Sequence, residues 1–416
     1  MALHIPPSLK HRKFLLLWTG LIISTAGSQM QVSAISWHIR ELSGKPDPLA
    51  LGGIGLARIL PIILFSLLSG PVADTYNRKT VLLITQSLQA LTAVFLAWLT
   101  FSNQISIALI YLLTAIQAGA MAFDAPARQA MIPNLVPEQE LPNAFSLINI
   151  AKNSASIIGP LLGGVVIATM GQGYTYFINA ISFLAVIFAL LIMGTIPQDL
   201  KHSSGINLGA VKEGIQFILS RPIILSTMLI DFVATFFASA STMLPIVARD
   251  ILHVGEVGYG LLAAGESIGS LTAGLVISQM NNIKKQGKVF LTAVILFGLA
   301  TILFGISRTL VLAFAALVLV GAADSVSTII RNTIRQMQTP DHIRGRMVSI
   351  NQIFFRGGPQ LGEMEAGIVG SLFSVPIAIV SGGVGVILAV WMIARKWPEM
   401  TNYNGDEKLQ EYQPSH

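Results

Sequence analysis

The sequence predicts an all-α membrane protein with twelve transmembrane helices in two pseudo-symmetric six-helix bundles. Three observations predict it. Of 416 residues, 53% are hydrophobic and only 11% are charged, against about 25% charge in an average soluble domain. The apolar residues come in continuous runs near the roughly 20 residues that a helix needs to cross a hydrocarbon core of about 30 Å. The second half of the chain also repeats residues of the first half in register. The apolar runs do not alternate with period two, so helices are preferred over a barrel.

In chain order the expected spans lie near 14–39, 50–73, 80–101, 106–123, 143–169, 174–194, 222–247, 258–279, 288–307, 310–330, 346–372 and 375–394. The first follows Lys10, Arg12 and Lys13, as a signal peptide would. Its apolar run from Phe14 to Ile39 is too long for one, and no convincing cleavage site follows, so an uncleaved helix is expected. The longest link runs from about Pro197 to Arg221. Its second half sets Leu208, Val211, Ile215, Ile218 and Leu219 at helical spacing opposite Lys212, Glu213 and Gln216. That is the pattern of an amphipathic helix on a membrane surface. The link divides the chain into a first bundle at 1–195, a linker at 196–221, a second bundle at 222–395 and a polar tail at 396–416. The tail is expected to be mobile.

Positive charge sets the orientation. With both termini cytoplasmic, most of the 26 Lys and Arg fall in inside segments, Arg331 and Arg335 among them. Only Arg40, Lys45, Arg249 and Arg308 fall in outside loops. Trp18, Trp37, Trp98, Trp391 and Trp397 all lie near span ends, where an interfacial belt places them. The expected setting is the cell inner (plasma) membrane, with a multi-pass chain and both termini cytoplasmic. The net charge of +6 belongs to that basic face and not to nucleic-acid binding, because the basic residues sit in short loops. The chain has no cysteine, which excludes disulfides, thiolate metal sites and cysteine nucleophiles. It also lacks His-Glu-x-x-His and a P-loop, so no enzyme, no metal and no cofactor are expected.

The repeat is explicit in single residues. A shift of about 203 places Arg128 on Arg331, Pro137 on Pro340, Glu138 on Asp341, Ser146 on Ser349, Gly159 on Gly362 and Gly164 on Gly367. Gly53 and Gly55 meet Gly258 and Gly260 at a shift of about 205.

Three sets of residues carry motifs. Gly70-Pro-Val-Ala-Asp-Thr-Tyr-Asn-Arg-Lys79 joins the second and third spans, and Gly159-Pro-Leu-Leu-Gly-Gly164 lies in the fifth. Phe123-Asp-Ala-Pro-Ala-Arg-Gln129, Ile132-Pro-Asn-Leu-Val-Pro137 and Arg344-Gly-Arg-Met-Val-Ser349 form the third set. The first resembles the loop signature of the major facilitator superfamily, and the second resembles the core of its antiporter motif. The third resembles the bacterial drug-efflux and siderophore-exporter branch, which holds macrolide efflux proteins and the enterobactin exporter. The resemblance covers the chain to about residue 395.

It implies two parallel halves with a substrate site near the midplane. The implied activity is proton-antiport export of an amphipathic organic compound, such as a drug, macrolide or siderophore, by alternating access. Gly70, Asp74, Arg78, Lys79, Asp124 and Arg128 would form a cytoplasmic gate. Gly159, Pro160, Gly163 and Gly164 would let helices approach and kink. The plainer readings are a polar turn, loop anchoring and helix packing. Some residues depart from the family pattern. Thr75 replaces a basic residue, and Asn77 replaces a glycine, asparagine being tolerant of positive φ. Ala155 replaces an upstream glycine. The second-half loop from Gly274 to Lys288 lacks the aspartate. Thr114-Ala-Ile-Gln-Ala-Gly119 lacks the arginine that many proton-coupled antiporters carry in the fourth helix. A lipid or lysophospholipid flippase of the same fold and a nonconducting receptor stay open as alternatives.

Arg58, Lys152, Asp231, Glu266, Arg356, Glu363 and Glu365 lie within spans, where a charge is a functional candidate by default. In the resembled family the second helix packs beside the eleventh and the fifth beside the eighth. This implies Arg58 near Glu363 and Lys152 near Glu266, as switching pairs or as static neutralisation. The repeat puts Lys152 within one residue of Arg356. Asp231 has no evident partner on its own helix, and with Glu266 it leads the candidates for a proton site. The expected partners are protons, one amphipathic small molecule and the lipid bilayer, with no nucleic acid. The protein is expected to be a monomer.

Overall fold

The computed structural model describes residues 6–198, 208–280 and 283–407. Among the described residues every regular element is helical. The α-helices are α1 (Arg12–Leu42), α2 (Pro48–Thr75), α3 (Arg78–Phe101), α4 (Ile107–Met131), α5 (Leu141–Met170) and α6 (Gln172–Ile192). Then come α7 (Leu208–Ser220), α8 (Pro222–Phe237), the short α9 (Leu244–Ile246), α10 (Gly255–Ser278) and α11 (Gln286–Ile306). The last are α12 (Leu310–Met337), α13 (Asp341–Leu372), α14 (Val375–Lys396) and the short α15 (Pro398–Asn402).

Ten helical stretches among the described residues are long and apolar enough to cross a membrane. The expected first and eleventh spans, α1 and α13, are not among them, although they run for 31 and 32 residues. Polar residues interrupt both. In α1, Ser24, Gln31, Ser33 and His38 are buried, so its polarity is turned toward protein. The outward surface is apolar instead: Leu64, Ile84, Val276 and Val311 are 63–79% exposed, as lipid-facing side chains are. The expected belt of five tryptophans is corrected at Trp37. It is 1% exposed and packs on Tyr259, with ring centroids 5.2 Å apart.

Helix starts follow the chemistry of their first turns. Four backbone N–H groups are orphaned there, and Ser106, Thr309 and Ser374 each supply a side-chain acceptor. Asn77 does the same for α3, accepting from the N–H groups of Lys79 and Thr80. Its φ of −60° corrects the expectation that asparagine stands there for a left-handed glycine. In the corresponding loop of the second half it is Lys285 that is left-handed, at φ 54°.

The expected seventh span is not one continuous α-helix. After α8 the chain passes through a 3-10 stretch at Ser239–Met243, then α9, then a π-helical turn at Val247–Ile251. The tenth span is longer than expected, because α12 runs on to Met337.

Two compact units form. The first holds Met1–Lys45, Ala57–Ile206 and Gly255–Ala264; the second holds Pro46–Leu56, Asn207–Val254 and Gly265–His416. In the first, Phe14, Leu17, Val81, Leu147 and Leu190 share one core. In the second, Ile230, Phe290, Val320, Ile334 and Val390 share another. Helix α7 packs Phe217 and Ile218 against Ile224 and Met228 of α8 and Ile343 and Met347 of α13. Ile215 and Leu219, expected on the apolar stripe of a membrane-surface helix, are exposed. Phe217, a residue the spacing pattern left out, packs inward.

The tail after Lys396 is docked as far as Glu407, not mobile as its polarity suggested; residues 408–416 lie outside the described set. Met400 and Tyr403 are almost fully buried in the second unit. The Tyr403 carbonyl accepts from the N–H of Gly287 at 2.9 Å, and its hydroxyl accepts from Gln338 Nε2 at 3.2 Å. Tyr403→Ala is expected to cost about 3 kcal/mol, the usual range for truncating a buried aromatic. Thermal unfolding of the purified protein, together with protease access to the tail, checks this.

Candidate functional site

A buried polar cluster of the second unit is built from α8 and α12, with Asn351 added by α13. Arg331 and Arg335 are one turn apart on α12 and share a face. Asp231 of α8 lies against both. Its Oδ1 is 2.9 Å from Arg331 Nη2 and its Oδ2 is 3.4 Å from Arg335 Nη2. All three side chains are at most 3% exposed. Arg335 also donates to the hydroxyl and carbonyl oxygens of Thr227 and to Asn351 Oδ1. Arg331 donates to Ser327 Oγ at 3.1 Å and faces Asp324 Oδ1 at 3.7 Å. Asp231, without an evident partner on its own helix, is thus paired from α12. The expectation that Arg331 and Arg335 are loop charges is corrected, because both lie inside α12.

A cavity of about 290 Å³ opens beside this cluster, lined in part by Thr235, Ser239, Glu266, Ser267, Ser270 and Asp324. The break after α8 supplies one wall, and Ser239 Oγ there donates to the carbonyls of Thr235 and Pro359. Irregular backbone at membrane depth is tolerated where it lines a cavity. Among the described residues, Arg331 faces both Asp231 and Asp324, and the Glu266 carboxylate lines the same cavity as Asp324.

In the first unit, Asp124 is 2% exposed and ties α3 to α4. It pairs with Arg128 and accepts from Thr85 Oγ1 at 3.2 Å and Gln86 Nε2 at 2.6 Å. Arg78 donates through Nη1 to the Ala130 carbonyl and Asn134 Oδ1, both at 2.9 Å. Lys79 Nζ reaches the Gly194 carbonyl at 2.7 Å. Asp124→Ala strands polar partners in a buried site and is expected to cost about 1–3 kcal/mol, measurable as a lowered unfolding temperature. Gln31, named above for its polar group, accepts from Asn179 and donates to Gln117, each at 2.7 Å, and so joins α1, α4 and α6.

The glycines of the fifth span serve close packing. Gly164 and Gly260 face each other so tightly that a Cβ on either would lie 3.0 Å from the other's Cα. Gly52 and Gly367 repeat the same crossing in the second unit, also at 3.0 Å. Gly159 packs on Gln29 and Gly163 on Met30 of α1. Arg58 and the exposed Lys152 fall in the first unit, Glu266 and Glu363 in the second. Gly70 lies within α2, and the side chains of Asp74, Arg344, Arg346 and Arg356 lie outside the described set.

A family profile described as transmembrane secretion effector matches residues 5–414. The chain is 27% identical over 373 residues to the multidrug efflux pump Tap of Mycolicibacterium fortuitum, covering 86% of this chain and 89% of that one. It is 26% identical over 326 residues to the enterobactin exporter EntS of Citrobacter koseri, covering 77% of each. In structure it resembles a bacterial homolog of the human lysosomal transporter Spinster, solved in an inward-facing and unoccupied conformation. The TM-score is 0.69 at 15% identity, over 96% of this chain and 97% of that one. That likeness is one of fold.

Proposed function

We infer, from the premise that the chain belongs to the transmembrane secretion effector family of the major facilitator superfamily, that it is a secondary exporter of amphipathic organic compounds. The relatives reported above, named for multidrug and enterobactin export, support that substrate class. The reading adds proton antiport by alternating access, in a bacterial inner membrane, with both termini cytoplasmic. It involves no covalent chemistry and one protein chain.

The observation that carries the coupling is the cavity shared by Glu266 and Asp324 beside the buried Asp231–Arg331–Arg335 network. Carboxylates facing a cavity inside a membrane protein take positive charge, as a proton or as a cationic group. If proton and substrate compete for the same carboxylates, binding one expels the other, and that competition is antiport. In this reading Asp231 does not carry the proton; it holds two arginines in place while Glu266 and Asp324 exchange it. Arg58, Lys152, Arg356 and Glu363 are further candidates because they lie in membrane-length helices. The gate residues Arg78, Lys79, Asp124 and Arg128 hold α3, α4 and the end of α6 together.

The test is transport of a fluorescent cationic dye in proteoliposomes under an imposed pH gradient. Glu266→Gln is expected to bind dye and remain folded but to lose stimulation by the gradient. Undiminished stimulation in both Glu266→Gln and Asp324→Asn would remove the proton role from this cavity.

A further inference from the structure

A furrow of about 660 Å³ runs between α11 and α12 in the second unit. Its walls are apolar: Val289, Leu296 and Leu303 on α11, and Leu319, Ala323 and Val326 on α12. Three lysines, Lys284, Lys285 and Lys288, close one end. Among the described residues no carboxylate lines it, and Asp406 and Glu407 of the docked tail are not part of its wall. Leu296, Leu299 and Leu319 are half-exposed along it, although they belong to membrane-length helices. From Val289 to Leu303 the wall rises about 21 Å at 1.5 Å per residue. That is enough to cover one leaflet of a hydrocarbon core of about 30 Å.

We propose that this furrow binds an anionic phospholipid of the bilayer, with its phosphate against Lys284, Lys285 and Lys288 and an acyl chain along the α11–α12 wall. The amphipathic pattern fits that one occupant. A cationic end whose described lining holds no carboxylate disfavours cationic amphiphiles and attracts phosphate. The N-terminus of α11 points the same way, because its helix dipole adds partial positive charge beside the lysines. Basic pockets between transmembrane helices recognise anionic lipid head groups on this basis.

The repeat provides an internal control. The first unit has a furrow of about 840 Å³ walled by Leu64 and Phe65 of α2, Ile84 and Leu88 of α3, and Ala115 and Phe123 of α4. Among the described residues its end is neutral, formed by Tyr76, Asn77 and Thr80. Arg78 and Lys79 are adjacent in sequence but do not line it, and both are engaged by carbonyl groups elsewhere. The two furrows share an apolar wall and differ in charge, so a preference for anionic lipid belongs to the second. The proposal needs only that these helices span a bilayer, and it stands or falls independently of proton coupling.

The experiment is native mass spectrometry of the purified full chain after exchange into mixed phosphatidylglycerol and phosphatidylcholine. The parent protein is expected to retain phosphatidylglycerol preferentially. A triple variant, Lys284→Gln with Lys285→Asn and Lys288→Gln, is expected to lose that preference by about tenfold or more, since each lysine near an anionic surface contributes measurably. Asparagine is chosen at position 285 because the backbone there is left-handed, at φ 54°. All three lysines are exposed, so unfolding in lipid-free detergent should be unchanged. Ala323→Trp, which fills the furrow, should release both lipids. Equal retention of the two lipids by the parent overturns the proposal. So does a preference that survives the triple variant, or photoreactive phosphatidylglycerol labels that map to α3 and α4.

Discussion

Replacing Asp231 with alanine is expected to destabilise the second unit by about 3–5 kcal/mol, the range found when one partner of a buried ion pair is removed. The reason is the environment of the arginines left behind. Arg331 and Arg335 are 3% and 2% exposed, and water cannot replace the carboxylate. Arg335 keeps Thr227 and Asn351 as acceptors, but these are neutral. Among the described residues Arg331 keeps Ser327 and the longer contact to Asp324. At about 2–4 °C per kcal/mol, the loss corresponds to a fall of roughly 6–20 °C in unfolding temperature. Removing the charge from both sides, as in Asp231→Asn with Arg331→Gln, should recover much of the loss, because a matched deletion leaves less unpaired charge. A single variant that melts with the parent protein would show that Arg331 finds another anion. Asp231→Asn alone that folds normally and also abolishes gradient-driven efflux would return the proton to Asp231.

That network shows where the sequence stopped being legible. Apolar runs revealed the membrane helices, because lipid requires about 20 continuous apolar residues. The repeat revealed which residues correspond. Their partners stayed hidden, since an ion pair between distant helices leaves no local pattern. One signal was available. At the shift of about 203 that places Arg128 on Arg331, Asp124 falls on Ser327. In the first unit, Asp124 pairs with Arg128 from one turn away on the same helix. In the second, the corresponding serine can accept a hydrogen bond but carries no charge. Arg331 therefore needs an acid from another helix, and Asp231 supplies it. The same logic explains the mistaken end of the tenth span. Arg331 and Arg335 read as a loop because charge usually marks the edge of a membrane helix, whereas here the charge is neutralised inside it. The docked tail was missed for a different reason. Two buried residues, Met400 and Tyr403, anchor a segment that is otherwise polar, and composition averages them away.

Gly321→Val is expected to be the second severe substitution, and it acts through backbone rather than charge. Helices α10 and α12 meet at Gly269 and Gly321. A Cβ added at Gly321 would collide with the Glu266 carbonyl oxygen, and one at Gly269 with the Val318 carbonyl oxygen. Backbone oxygens cannot rotate aside as a side chain can, so the helices must separate. Overpacking a core costs about 1–3 kcal/mol and occasionally more; here the upper end or beyond is expected. Without a hydrophobic drive between helices in lipid, close packing is what holds such a pair together. The functional loss should exceed the loss of stability, because the residue displaced is Glu266, which shares its cavity with Asp324. Gly274→Ala on the same α10 helix is the matched control, since its Cβ would meet nothing nearer than Ser325 Oγ at 3.9 Å. Graded substitution separates the two effects. Gly321→Ala should still permit folding but slow gradient-driven efflux, and Gly321→Val should lower both efflux and unfolding temperature. If Gly321→Val and Gly274→Ala behave alike in both measurements, the contact between α10 and α12 is looser than its geometry states, and the spacing of Glu266 and Asp324 cannot depend on it.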